Sequence, residues 1–568
     1  MARALILLVC AQFLFTSWWT ANAAVVEHTF HVGNLSVRRL CNSRVITAVN
    51  GQLPGPTIEA NEGDQIVVHV INESPFNLSI HWHGMFQKLT PWADGPVYVT
   101  QCPILPGHHY TYRFNTTGQE GTLWWHAHVS WLRATVYGAL IIRPKADVHS
   151  YPFPTPHKEI PILLGEWYNS NEVNIENTAL ATGAAPNLSN AYTINGRPGD
   201  LYPCSHKHIY KVKVVQGKTY MLRIINAALN NQLFFKIAKH NLTVVAVDAC
   251  YTTPYNTDVV VLAPGQTVDA LLQTNAPPGD YYMAALPYAS ASGLPFDNST
   301  ATGILRYRST WMGSYPTPLM PLMPAFNDTP TAHGFYSNLT SLLLPGSIRV
   351  PLHVDEKMHV VYGLNLIPCG SNRTCQGPFG SEFAASMNNV SFQLPSTISL
   401  LEAHYRGVKG IYTSDFPDKP PAFDYTNSSL SFSQSMLSTT KGTRLKKLKY
   451  NAVVEVVLQN TALVALENHP LHLHGFNFFV LAQGFGNYNA AVAKKKFNLV
   501  NPQMRNTIAV PVGGWAVIRF IADNPGVWIM HCHLDAHLPW GLATAFEVEN
   551  GHTASSTIPP PPSDFPKC

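Results

Sequence analysis

The stretch His531-Cys532-His533-Leu534-Asp535-Ala536-His537 sets a thiol between two imidazoles and places a third imidazole five residues beyond the cysteine. On a β-strand successive side chains point to opposite faces, so His531 and His533 share one face and Cys532 takes the other. A soft thiolate with two imidazoles and a weak or absent axial ligand is the donor set of an electron-transferring copper, and Cys532 and His537 supply part of it. The two flanking histidines can serve a second metal site behind the first. One short strand then joins two centres: the cysteine collects charge and its covalent neighbours deliver it.

Outward from this strand, the chain reads as further strands. Short β-branched runs such as Ile66-Val67-Val68-His69-Val70 and Met221-Leu222-Arg223-Ile224-Ile225 are punctuated by glycine and proline, and no long helical period stands out. Many short strands at regular spacing predict an all-β protein of sandwiches or barrels. A weak repeat sharpens this. Residues 106–114, 264–272 and 512–520 share a turn followed by an alternating strand. Upstream of each, Asn72 leads into His81-Trp82-His83-Gly84, Asn226 into Leu233-Phe234-Phe235-Lys236, and Asn460 into His469-Pro470-Leu471-His472-Leu473-His474-Gly475. Three copies predict three similar β-sandwich domains, which suits 568 residues, too many for one core. The middle copy has no histidine pair, so domain two is expected to be a spacer that orients the other two. The expected bounds are 24–145 for domain one, 156–311 for domain two, a proline-rich crossover over 312–395, and domain three with its tail over 396–568.

Residues 1–23 carry Arg3, an apolar run from Ala4 to Phe15 and the small-residue exit Ala21-Asn22-Ala23, the pattern of a cleaved secretory signal. No later segment is apolar for long enough to span a bilayer. Twelve Asn-x-Ser/Thr sites fit a secreted glycoprotein. With a net formal charge of +4, the lysine clusters at Lys446, Lys447, Lys449 and Lys494 to Lys496 read as solvated loop faces. Contact with an anionic polysaccharide matrix is their other reading; nucleic acid is not indicated. Of nine cysteines, Cys10 lies in the signal and Cys532 at the proposed copper, leaving an odd seven. Cys250, at the end of an apolar run, is the candidate for a free, buried thiol; spacing alone does not give the connectivity.

Chance would place about one His-x-His pair in this chain, and there are five: His81/His83, His126/His128, His206/His208, His472/His474 and His531/His533. His206 and His208 lie in a polar loop of domain two and read as the chance pair. The other four give eight imidazoles, two pairs from each outer domain. Converging between those domains they would hold three coppers, six sharing a coupled pair suited to dioxygen and two holding the third. His469 completes the two-histidine, one-cysteine site with Cys532 and His537. Any one pair alone would read as structural histidines, and eleven ligands with a single cysteine do not resemble closed tetrahedral zinc sites.

In these motifs, HWHG at His81, LWWHAH ending at His128, HPLHLHG at His469 and HCHLDAHLPWGL at His531, the chain resembles the multicopper oxidases, and most closely the plant laccases. The resemblance covers nearly the whole mature chain. It implies cupredoxin-like Greek-key domains and four copper ions. His469, Cys532 and His537 would be type 1 ligands, with Leu542 at the axial position; His81 and His472 would hold type 2 copper; His83, His126, His128, His474, His531 and His533 would hold the type 3 pair. Leucine cannot coordinate, which should raise the type 1 potential. Asp94, which could otherwise be a turn-capping aspartate beside glycine, and Asp535 match family acids that assist proton delivery. The family's disulfides imply Cys102 with Cys568 and Cys41 with Cys204, leaving Cys369 with Cys375.

The expected activity is that of a secreted laccase of the apoplast or cell wall, with phenolic substrates, lignin precursors foremost, and dioxygen as partners and no membrane anchor. A monomer is expected. The rivals are a ferroxidase, which needs carboxylates beside the type 1 histidines and has Glu467 near His469; an ascorbate oxidase, which Leu542 counts against; and a non-catalytic cell-wall relative, which would lack ligands that are all present here.

Overall fold

The computed structural model describes residues 23–145, 150–205, 208–291, 293–307, 317–370, 373–420, 424–427, 429 and 437–568. The signal segment up to residue 22, with Cys10, and His206 lie outside the described residues.

Six sheets pair into three β-sandwiches. The first sandwich packs two four-stranded sheets, the second a six- and a five-stranded sheet, and the third an eight- and a five-stranded sheet. Each has its own apolar core, around Trp82 and Trp125 in the first, Phe234 and Phe235 in the second, and Phe520 and Trp528 in the third.

The sequence repeat has a structural meaning. Strands Gln65–Asn72, Thr219–Asn226 and Val453–Asn460 each run antiparallel to the repeated strand, His109–Asn115, Thr267–Gln273 and Gly514–Ile521 respectively. Each ends on a fully buried asparagine. Asn72 Nδ2 donates to the carbonyls of Phe76 and Ile104, both at 2.8 Å. Asn226 does the same to Asn231 (3.1 Å) and Leu262 (2.8 Å), and Asn460 to Glu467 (2.7 Å) and Pro511 (3.3 Å). One amide thereby ties together the two loops that lead into the metal-motif strand and the repeated strand, satisfying carbonyls that burial would otherwise orphan.

The same strands have a parallel partner on their other side: Val25–Arg39, Lys158–Trp167 and Glu356–Pro368. The last corrects the expected crossover over 312–395. Glu356–Pro368, Ser381–Met387 and Val390–Phe392 are strands of the third sandwich's eight-stranded sheet. The reason is visible in Met358, Val360, Tyr362, Leu364 and Leu366, which alternate along the strand into the core and were overshadowed by the neighbouring prolines and cysteines.

A helix the sequence did not announce, Glu172–Thr182, lies against the turn Ser130–Ala134 of the first sandwich. Asn171 caps it by accepting from Asn174 N–H at 3.0 Å, and Gly183 ends it in the left-handed region (φ 69°). It shows no apolar stripe because two of its buried residues are Glu172 and Glu176. Among the described residues no helix is long and apolar enough to cross a membrane.

Domain two does more than space the others. Its turn at Gly265 accepts from Trp124 Nε1 at 3.1 Å, and Gln266 Nε2 donates to the Thr507 carbonyl at 3.0 Å, so it binds both outer domains. Gly265 (φ +94°) leaves no room for a side chain, since a Cβ would stand 3.0 Å from His83 and 3.1 Å from His533. Disulfides join Cys41 to Cys204, Cys102 to Cys568 and Cys369 to Cys375, the pairing the resemblance implied. Cys250 is free but half-buried rather than buried, and accepts from Asn477 Nδ2 at 3.1 Å. The tail also accepts from Trp92 Nε1 at the Pro559 carbonyl (2.8 Å).

Candidate metal centre

Strand register brings the histidines together. Ile80–His83 pairs antiparallel with Gly121–Ala127, setting His81 opposite His126. His469–Leu473 pairs with Gly526–Cys532, setting His472 opposite His531 and Leu471 opposite Cys532. Directly opposed residues share a face. His472 and His531 therefore look out toward the first sandwich, while Leu471 and Cys532 look into the third sandwich's core. His533 follows the strand end, and its ring stacks with that of His531 at 5.6 Å.

The eight imidazoles form one cluster between the first and third sandwiches. His81, His83 and His126 form one close group, His81, His472 and His474 a second, and His128, His474 and His531 a third, with ligand atoms within 4.8 Å. His533 Nε2 meets His83 Nδ1 at 3.2 Å. All are buried except half-buried His128. His208 joins no such group among the described residues.

The rings are anchored from behind. His81 Nδ1 donates to the Asp94 carbonyl (2.8 Å), His126 Nδ1 to the Ala127 carbonyl (2.9 Å), His472 Nδ1 to the Asn506 carbonyl (2.9 Å) and His531 Nδ1 to the Cys532 carbonyl (2.9 Å). His474 Nδ1 donates to Asp94 Oδ2 at 3.0 Å. With Nδ1 thus occupied, Nε2 is the free ligand atom, and Nε2 atoms face one another: His531 to His474 at 3.2 Å and to His128 at 3.4 Å. His83 is turned the other way, its Nε2 held by Asn506 and Thr507 at 3.1 and 3.0 Å. Burial first, then neighbouring imidazoles and Arg133, keeps these rings neutral: His83, His126, His128, His472, His474 and His533 are pushed well below their ordinary range and His531 to about 3. A neutral imidazole is a ligand with a lone pair to give.

On the other face, Cys532 Sγ lies 3.6 Å from His469 Nδ1 and 3.5 Å from His537 Nδ1. Leu542 is fully buried beside them. Burial pushes the Cys532 thiol up and the His469 imidazole down to about 3, so without a metal ion the thiol keeps its proton while the imidazole is neutral, with a lone pair to give. The residues fit copper. The donor set is one thiol with two neutral imidazoles on one face and imidazoles alone on the other. More nitrogens converge there than single protons could satisfy, and buried His126 Nε2 has no hydrogen-bond partner.

Both expected carboxylates are at the cluster. Asp94 is fully buried between His81 and His474. Its position depends on Gly95 (φ +104°), where a Cβ would fall 2.0 Å from the Ile80 carbonyl. Asp535 accepts from Arg133 Nε at 2.9 Å, and burial pushes its carboxyl up to about 6 against the pull of that guanidinium. Arg133 also contacts His533 Nδ1 and donates to the His533 carbonyl at 3.0 Å. Sequence reasoning missed Arg133, Asn506, Thr507 and Glu176. None carries a motif; each gains its meaning from what the fold sets beside it.

Two cavities flank the centres. One of about 390 Å³ reaches His537 and is walled by Phe296, Phe383 and Trp540, with Glu467 and Asn468 among its polar residues. Trp540 stacks on His537 (5.4 Å) and Phe383 on Trp540 (4.9 Å). Glu467 Oε1 lies 3.4 Å from His537 Nε2. The other, about 230 Å³, is lined by His126, His128, His531, His533, Asp535 and Glu176.

Comparison with known proteins agrees with this geometry. Family models described as multicopper oxidase match residues 158–310, 31–147 and 415–552. The chain is 60% identical over 566 residues to Laccase-7 of Arabidopsis thaliana, covering 99% of each. It is 59% identical over 559 residues to Laccase-14 of Oryza sativa subsp. japonica, covering 96% of this chain and 95% of that one. The crystal structure of a laccase from Botrytis aclada superposes with a TM-score of 0.72 at 27% identity, covering 94% of this chain and 89% of that one.

Proposed function

The chain belongs to the multicopper oxidase family, within which it is a laccase, and we propose that it takes one electron from each of four phenolic molecules beside His537 and reduces dioxygen to two waters at the histidine cluster. His469, Cys532 and His537 would hold type 1 copper with Leu542 at the axial position, His81 and His472 type 2, and His83, His126, His128, His474, His531 and His533 the type 3 pair. Bound copper supplies the one-electron acceptor on one face and the dioxygen-reducing centre on the other.

The residues of the chain do the rest. The aromatic wall of Phe383 and Trp540 offers a phenol a stacking surface next to His537, the ligand at the edge of that cavity. Cys532 is bonded through the main chain to His531 and His533, so an electron crosses from one face of the strand to the other along a covalent path. Asp94 fixes the His474 tautomer from behind, and Arg133 holds the His533 main chain through its carbonyl. The observation that carries this reading is the opposition of Cys532 and His531 across one strand.

Lignin precursors are the substrates this reading favours, with the protein acting as a secreted monomer in the apoplast or cell wall, where Lys494 to Lys496 could meet acidic polysaccharide. The test is oxygen uptake by the copper-loaded protein with a monolignol, ascorbate and Fe(II) in parallel. A monolignol kcat/KM well above the other two is expected. Preference for Fe(II), which Glu467 could help to bind, or for ascorbate would overturn the substrate, and no uptake at all would overturn catalysis.

A further inference from the structure

Reduction of one dioxygen consumes four electrons and four protons and yields two waters, while four phenols each lose one electron and one proton. The protons are released in the cavity at His537 and consumed at the other one, so the second cavity needs its own supply. Two carboxyls line it. Asp535 is ion-paired to Arg133. Glu176 is different: it comes from domain two on the helix Glu172–Thr182, is 9% exposed, and has no ion-pair partner among the described residues. Its neighbour one turn earlier, Glu172, is by contrast paired with Arg44 at 2.7 Å. Glu176 Oε2 accepts from the Ser130 hydroxyl and from Trp131 N–H (3.2 Å), on the turn just after His128.

Resting on the laccase reading, we propose that Glu176 is a proton-relay residue for dioxygen reduction, passing protons through the Ser130 hydroxyl and cavity water toward the histidine cluster. A cavity of about 230 Å³ holds several waters, each occupying about 30 Å³. The ionisable groups that face this cavity are Asp535, Arg133, Tyr98 and the four cluster imidazoles, with Glu172 on the same helix. Burial, helped by the Asp535 charge and opposed by the Ser130 and Trp131 hydrogen bonds, pushes the Glu176 carboxyl up to about 7, so it can take up and release a proton near neutrality.

The test uses the copper-loaded Glu176→Gln protein in two half-reactions. Anaerobic bleaching of the blue band by a phenol should keep its wild-type rate, whereas reoxidation by dioxygen should slow at least tenfold and lose the wild-type decline above pH 7. In the copper-free protein the same substitution should delete a protonated-carboxyl infrared band that titrates near 7. Wild-type reoxidation with an unchanged pH profile, or an infrared spectrum with no band lost, would overturn the relay. Failure of phenol to bleach the band would overturn the laccase reading instead, and reoxidation after dithionite reduction would still judge Glu176. Should Glu176→Gln not be secreted, Ser130→Ala removes the hydroxyl and should slow reoxidation alone; an unslowed rate there rejects the relay.

Discussion

Leu542 brackets Cys532 through the main chain, its carbonyl accepting from the Cys532 N–H at 3.0 Å. The Leu542 N–H in turn donates to the His537 carbonyl at 3.0 Å, so the leucine is fixed against two residues of the thiol-imidazole site at once. A thioether here would gain a place beside the sulfur without a change of volume. Leu542→Met is therefore expected to lower the type 1 reduction potential while costing less than about 1.5 kcal/mol of stability. Redox titration of the blue band decides it; an unchanged potential means that Leu542 is not axial.

Cys532→Ser removes the only soft donor from the site and the shortest covalent link to His531 and His533. The blue band and phenol turnover should fall to background, while the eight imidazoles, which lie on the other face, keep much of their copper. Copper content and the visible spectrum of the purified variant test this. Phenol oxidation at the wild-type rate would refute the electron path.

Asp94→Asn keeps the size of the side chain but weakens its grip on His474 Nδ1. Because the groups behind metal ligands set their orientation, copper retention by the cluster should drop about 10–100-fold. Competition with a chelator measures it, and retention equal to wild type would reduce Asp94 to a turn residue beside Gly95.

The outline of this site was legible in the sequence because strands have a period of two. His-x-His on a strand puts both rings on one face, and the repeated asparagine and turn marked three equivalent frames. What was not legible depends on contacts between frames. Arg133 reads as an ordinary turn residue until His533 and Asp535 arrive from 400 and 402 residues away. The helix at Glu172–Thr182 hid for a related reason: its buried glutamates are satisfied by other domains, so it lacks the apolar stripe by which an amphipathic helix is recognised. The strand Glu356–Pro368 was masked by the proline-rich segment ahead of it.

Glu166 gives a pH test away from the copper ligands. It accepts from Tyr168 Oη (2.9 Å) and Asn231 Nδ2 (2.8 Å), and burial pushes its carboxyl up to about 7 from the ordinary 4.5. Between those pH values the folded chain holds a proton that the unfolded chain has lost, so this stability is present in acid and disappears as pH rises to 7. The span is worth up to about 3 kcal/mol. Denaturation of copper-free Glu166→Gln at pH 4.5 and 7.5 should show a smaller loss than wild type; equal losses would contradict it.

The contact between His83 and His533 closes across 450 residues. Loop-closure entropy grows only slowly with length, so such a contact is thermodynamically tolerable. It is costly in time, because a growing polypeptide holds one half of the cluster long before the other half exists. No nascent fragment that stops short of His533 can complete the site, so the finished cluster is a late event in the life of the molecule, coming after synthesis is nearly finished and the outer domains have docked.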